Sequence, residues 1–171
     1  GTDALTIALY IAGIKRGDEV ITPANSFISS TSVIVHLGAK PVFADILPDQ
    51  NIDPSNLEKL ITKKTKAIMP VHLTGRIAEM KAINKIAKKY NLIVIEDAAQ
   101  AIGSKYYAKK SGSLGDIGCF SAHPLKNLNA SGDGGFFTTN NKKFWSKAKE
   151  ISNLGLINRN IVKEFGHVSR L

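Results

Sequence analysis

Three short stretches of the sequence carry side chains that could do chemistry. The first is Glu96-Asp97-Ala98-Ala99-Gln100, directly after the apolar run Leu92-Ile93-Val94-Ile95. A carboxylate in that place can bind a metal, pair with a cationic ring, or merely cap a following helix. The second is Gly118-Cys119-Phe120-Ser121-Ala122-His123-Pro124-Leu125-Lys126-Asn127, followed by Gly132-Asp133-Gly134-Gly135. A lone loop lysine is ordinarily just solvated, but Lys126 has apolar strand-like runs on either side and glycines close by. Partial desolvation favours the neutral form of an amine, and a neutral amine can form a Schiff base. The third is the opening Gly1-Thr2-Asp3-Ala4-Leu5. A Gly-Thr at a helix start offers free backbone N–H groups, a hydroxyl and the positive end of the helix dipole, which suits a phosphate. Taken alone, it is equally an ordinary capped helix.

The elements that must position these residues alternate in type. Leu5, Ala8, Leu9 and Ala12 share one face of a helix over residues 2–13, with Thr2 or Asp3 able to cap its start. A short strand, Asp18 to Thr22, closes at Pro23, and residues 28–37 suit a helix that stops at Gly38. Pro41 to Ala44 is a second strand. Asp53-Pro54-Ser55 starts another helix, and Lys66 to Val71 is a third strand. Met80, Ile83, Ile86, Ala87 and Tyr90 stripe a helix over 78–90. Leu92 to Ile95 then reads as a strand buried on both faces. Strand-like runs at Ile117 to Ser121 and Gly135 to Thr139 precede a helix from about Lys142 to Asn153.

This alternation implies right-handed crossovers and a mostly parallel α/β sheet with helices on both faces. No linker splits the chain, so residues 1–171 form one domain. In such a sheet ligands sit beyond the carboxyl ends of the strands. That rule points to Pro23 to Phe27, Asp97 to Gln100 and Ser121 to Lys126.

Composition excludes several other classes. The chain has 171 residues, 43% hydrophobic and 22% charged, as in an ordinary globular protein. Its most apolar stretch, Ala4 to Ile14, is too short for the roughly 20 residues of a membrane span. The single cysteine, Cys119, rules out an intrachain disulfide and fits a reducing, cytoplasmic setting. Within its apolar run Cys119 reads as a core residue. The scattered histidines give no zinc-ligand spacing, and no metal site is expected. The net charge of +9 comes from surface lysines without interleaved aromatics, so no nucleic-acid groove is expected. No phosphate loop of the G-x-x-x-x-G-K-[ST] type accompanies Asp97. The glycines around 112–118 and 132–135 do not form G-x-G-x-x-G, and Ser121 lacks the G-x-S-x-G setting of a hydrolase nucleophile.

Taken in order, GTDALTIAL, GDEVITPANSF, GAKPVFADI, TKAIMPVHLTG, VIEDAAQAIGS, GSLGDIGCFSAHPLKNL and GDGG resemble the DegT/StrS-type sugar aminotransferases, fold-type-I pyridoxal-phosphate enzymes. The resemblance implies pyridoxal 5'-phosphate as cofactor, Lys126 as the Schiff-base lysine and Asp97 as partner of the ring nitrogen. It places Phe27 where an aromatic stacks on the cofactor, Gln100 where a side chain faces its ring, and Gly1, Thr2 and Ser121 at the phosphate. His123 belongs to the same motif, beside the lysine, with its role open.

The same resemblance implies transfer of an amino group, with glutamate the expected donor, to a nucleotide-linked keto sugar, in a homodimer. The dehydratase branch of the family replaces the lysine with histidine, so Lys126 argues for transamination. A non-catalytic ligand-binding or regulatory domain is the rival of another class, although it would need neither Lys126 nor Asp97. Two departures stand out. The small polar residue that usually precedes Gly1 is missing, and Val168 stands where the family commonly carries an Asn that reaches the neighbouring subunit's cofactor. Family members are about twice as long. The chain is therefore expected to be part of the cofactor-binding large domain, without the small C-terminal domain and inactive by itself.

Overall fold

The structure is a computed structural model and describes residues 1–158, 161–163 and 166. The elements run α1 (Thr2–Ile11), β1 (Glu19–Pro23), α2 (Ile28–His36), β2 (Lys40–Ala44), α3 (Leu57–Leu60), β3 (Thr65–Ile68), α4 (Met80–Tyr90) and β4 (Ile93–Asp97). A small hairpin, β5 (Lys105–Tyr106) and β6 (Lys109–Lys110), leads to β7 (Ile117–Ser121) and β8 (Gly135–Thr138). Then come α5 (Lys142–Ile151) and a second hairpin, β9 (Leu156–Asn158) and β10 (Ile161–Val162).

The central sheet has six strands in the order β2-β1-β3-β4-β7-β8. All neighbours are parallel except β7 and β8, which pair antiparallel. The mostly parallel α/β sheet expected from the sequence is therefore present, with one antiparallel edge that the pattern did not foretell.

Period-two alternation along the strands divides the interior in two. Val20, Ala67 and Ile95 face the layer built by α1, α2 and α5. Their chain neighbours Ile21, Ile68 and Val94 face the layer of α3 and α4. α1 is apolar on most sides: Ala4, Leu5, Ile7, Ala8, Leu9 and Ile11 are all buried, packed on α2, α5, β7 and β8.

Helix ends follow local chemistry. Gly13 (φ 83°) and Gly38 (φ 74°) adopt left-handed conformations just past α1 and α2. Each is followed by a 6→1 bond, Ile14 N–H to the Leu9 carbonyl and Ala39 N–H to the Ile34 carbonyl. The helix expected from Asp53 is shorter than the sequence suggests, a 3-10 turn over Pro54–Asn56 running into the single turn of α3. Strand β3 ends at Ile68, although Val71 still makes an isolated parallel bridge to Asp97. Among the described residues no helix is long and apolar enough to cross a membrane.

Candidate active site

The carboxyl ends of β4 and β7, with the segment that follows β1, converge on a cavity of about 430 Å³. Its lining includes Gly1, Thr2, Phe27, Asp97, Gln100, Ser121, His123 and Lys126. Every residue singled out from the sequence as a candidate thus borders the same space. Val168 lies outside the described residues.

One end of the cavity is the start of α1. Its N-cap is Gly1, with no side-chain cap. Neither Thr2 nor Asp3 caps the helix, contrary to the sequence expectation: both lie inside its first turn, where the backbone N–H groups have no acceptor within the helix. The Thr2 hydroxyl instead shares a 3.0 Å hydrogen bond with the Ser29 hydroxyl on α2.

Glycines are required here by close approach. A Cβ on Gly1 would sit 2.8 Å from the Ser121 Cβ, and one on Gly135 would sit 2.6 Å from the Gly1 nitrogen. The Gly134 carbonyl accepts from both the Gly1 nitrogen (3.0 Å) and the Ala122 N–H (2.8 Å). The Gly132-Asp133-Gly134-Gly135 run therefore pins the start of α1 against the end of β7, bringing Gly1, Thr2 and Ser121 together.

Another wall is the end of β4. Asp97 is buried, 5% exposed. Its Oδ2 accepts from the Ser30 hydroxyl at 2.7 Å and its Oδ1 from the Ala99 N–H at 3.1 Å. Phe27, the N-cap residue of α2, is 71% exposed and presents its ring at the cavity. Gln100 also lines the space, but its Oε1 accepts from the Thr74 N–H at 2.6 Å. That bond holds Thr74 in a left-handed conformation (φ 55°).

Lys126 is half-buried in the loop after β7. Its N–H donates to the His123 carbonyl, and the Ala130 N–H closes the loop onto the Ala122 carbonyl, both at 2.8 Å. His123 is folded onto the same turn: its Nδ1 accepts from the Leu125 N–H at 3.1 Å, so the proton of the neutral ring lies on Nε2. That Nε2 is 3.9 Å from the exposed Asp133 carboxylate, a surface pair of little energetic weight. Cys119 is fully buried, and burial pushes its thiol up, consistent with a core role.

Beneath this wall lies a second carboxylate that sequence reading left without a role. Glu96 and His72 are both wholly buried, with Nε2 and Oε2 2.9 Å apart. His72 Nδ1 accepts from the Ala78 N–H at 3.3 Å, which leaves Nε2 as the donor to Glu96. Glu96 also accepts from Gly112 N–H (2.8 Å), Leu114 N–H (2.7 Å) and Gly115 N–H (2.7 Å). Burial pushes this carboxyl up, but the His72 bond and the Gly115 and Gly112 amides outweigh it and hold the group below its ordinary range. His72 was not a candidate, because an isolated histidine in an apolar run carries no sign of its partner. Ser30 was missed too, although a hydroxyl at the buried stripe it shares with Val33 and Ile34 was a usable signal.

A mostly parallel sheet holds an amine, a buried carboxylate and a helix start around one cavity, on a fold that solved aminotransferases share. The crystal structure of ntda from Bacillus subtilis with bound cofactor PMP superposes with a TM-score of 0.92 at 39% identity. It matches 99% of this chain and 39% of that one. The DegT/DnrJ/EryC1/StrS aminotransferase family matches residues 1–171, and the chain belongs to that family. GDP-perosamine synthase of Caulobacter vibrioides is 46% identical over 157 residues, 91% of this chain and 42% of its own. A "Pleiotropic regulatory protein" of Geobacillus stearothermophilus is 53% identical over 152 residues, 88% of this chain and 41% of its own. The chain thus spans less than half the length of these curated relatives.

Proposed function

We propose that this chain is the cofactor-binding part of a pyridoxal-phosphate-dependent transaminase acting on a nucleotide-linked keto sugar. The observation that carries this reading is the convergence of Lys126 and Asp97 on one cavity with the start of α1. The residues suit the cofactor at each of its ends. The first-turn amides of α1, with Thr2 and Ser121, would hold the phosphate. Phe27 would cover one face of the ring, and Gln100 would border it. Asp97 would pair with the ring nitrogen, a buried carboxylate favouring the protonated form of its partner.

When bound, the cofactor supplies an electron sink for the carbon that loses or gains nitrogen. The chain's own part is to hold and to move protons. Lys126 Nζ would carry the cofactor at rest and, once released, take and return the proton at the amine-bearing carbon. His123, on the same turn, would orient the loop that carries Lys126.

Glutamate as amino donor, a homodimer and a cytoplasmic setting complete the reading. The named activity of GDP-perosamine synthase supports the sugar substrate. The cofactor in the ntda structure, PMP, is the aminated form that such a transfer requires. The single cysteine suits a reducing compartment. Residues 1–171 are read as part of one large domain, and by themselves should bind the cofactor weakly and turn nothing over.

A second, regulatory reading is favoured by the 53% identity to a protein named for regulation. One experiment on the full-length protein separates the two. With pyridoxal phosphate added, the transaminase reading expects an absorbance band that shifts on adding glutamate, and borohydride should leave a covalent adduct on Lys126. Lys126→Ala should abolish both the adduct and turnover. An adduct that persists in Lys126→Ala defeats the assignment, and a protein that never forms one favours regulation.

A further inference from the structure

We infer that Ser30 is a positioning residue for Asp97, its hydroxyl fixing the carboxylate in the orientation that faces the cavity. The inference rests on the transaminase reading above and adds a residue that this reading does not use.

Ser30 sits in the first turn of α2, 1% exposed, on the face it shares with Val33 and Ile34. A hydroxyl in such a place is costly unless it finds a partner. Helix hydroxyls commonly satisfy themselves on a carbonyl one turn back, as Thr6 does on the Thr2 carbonyl at 3.0 Å. Ser30 does not. It donates across the fold to Asp97 Oδ2 at 2.7 Å. The other protein contact of that carboxylate, from the Ala99 N–H, is a local turn bond that any aspartate at this position could make. Among the described residues, Ser30 is therefore the contact that ties the Asp97 carboxylate to a second element.

The same turn of α2 reaches the rest of the cavity. Its N-cap residue Phe27 borders the space, and Ser29 bonds the Thr2 hydroxyl at the start of α1. One rigid helical turn thus sets the spacing between the α1 end of the cavity and the Asp97 end. Ser30 makes the bond to the charged member.

The test uses the full-length protein, titrated with pyridoxal phosphate and followed by absorbance, with borohydride trapping as a control. Ser30→Ala should weaken cofactor binding on the order of tenfold, the scale of one hydrogen bond to a charged group. Ser30→Thr, which keeps the hydroxyl, should restore it, and Ser30→Cys, a near-isosteric weak donor, should fall between. In an Asp97→Ala background, where residue 97 has no side-chain group for the hydroxyl to meet, Ser30→Ala should add nothing, because the coupling runs through the carboxylate. A merely structural serine would lower the melting temperature of the cofactor-free protein without this pattern of rescue. If Ser30→Ala does not fold, the Cys and Thr variants decide. Equal cofactor affinity in the Cys variant and the unaltered protein overturns the inference alone. Absence of any trapped adduct in the unaltered protein overturns the transaminase reading and this inference together.

Discussion

Glu96 and Asp97 are neighbours at the end of β4, both carboxylates and both buried, yet they are set up for different work. Strand alternation sends their side chains to opposite faces. Glu96 enters a closed cage in which His72 and the amides of Gly112, Leu114 and Gly115 surround both its oxygens. Among the described residues the Asp97 carboxylate receives only Ser30 and Ala99, and it borders the cavity. A carboxylate accepts about four hydrogen bonds. Glu96 has no capacity left over, whereas Asp97 retains some for a ligand. The difference teaches that burial alone does not mark a functional acid: what matters is whether its acceptor sites are already filled.

That contrast can be broken by swapping each acid for its amide. Glu96→Gln should have the largest effect on stability. Whichever way the amide turns, the new NH2 would face donors, His72 and Gly112 on one side or Leu114 and Gly115 on the other. The ring cannot reverse its tautomer to help, because Nδ1 already accepts from Ala78. Leaving buried donors without an acceptor in this way costs about 1–3 kcal/mol for each group left unpaired. Chemical denaturation should register that loss, and a Glu96→Gln protein as stable as the original would remove the cage from the account.

Asp97→Asn should do the reverse. The amide can still meet Ser30 and Ala99, so the melting temperature should change little. Turnover in the full-length protein should fall on the order of 10²–10³-fold, the scale of losing one oriented electrostatic partner. Steady-state kinetics on a keto-sugar substrate would check this. Unaltered turnover would separate Asp97 from the chemistry.

The smallest effect sharpens the comparison through pH. The Glu96 carboxyl is held below its ordinary value of 4.5 in the fold. Its contribution to stability is therefore fully present above that value and is lost as pH falls through the lower folded one. Melting curves of the unaltered protein should decline in this acidic window more steeply than those of Glu96→Gln. Parallel curves would mean that the cage does not set the acid limb.

Much of the site was legible before any coordinates. Asp97, Ser121 and Lys126 were singled out because they follow apolar strands, and in a parallel sheet the ends of such strands gather on one side. Gly1 and Thr2 stood out as a helix start, and Phe27 through the resemblance. What misled was local. Thr2 and Asp3 looked like caps because their residue types favour capping. The actual cap is Gly1, since only a residue without a Cβ fits against Ser121. The resemblance places Gln100 where a side chain faces the cofactor's ring, yet part of its bonding capacity is taken up by Thr74. Partners distant in sequence were illegible, Ser30 with Asp97 and His72 with Glu96. Nothing in a local pattern indicates which distant segments will meet.

By itself, then, the sequence determined the order of the helices and of the six strands of the central sheet, though not the two small hairpins, through the two-residue and 3.6-residue rhythms of its apolar side chains. It also placed the chemically able residues at the strand ends. Only the tertiary structure decided that β8 runs antiparallel beside β7, that Gly134 and Gly135 fasten the start of α1, and which carboxylate is sealed and which left open. The physical reason is that periodicity is a property of the chain with its nearest neighbours. Saturating a buried charge requires donors brought from segments far apart in sequence, and their meeting is settled by packing.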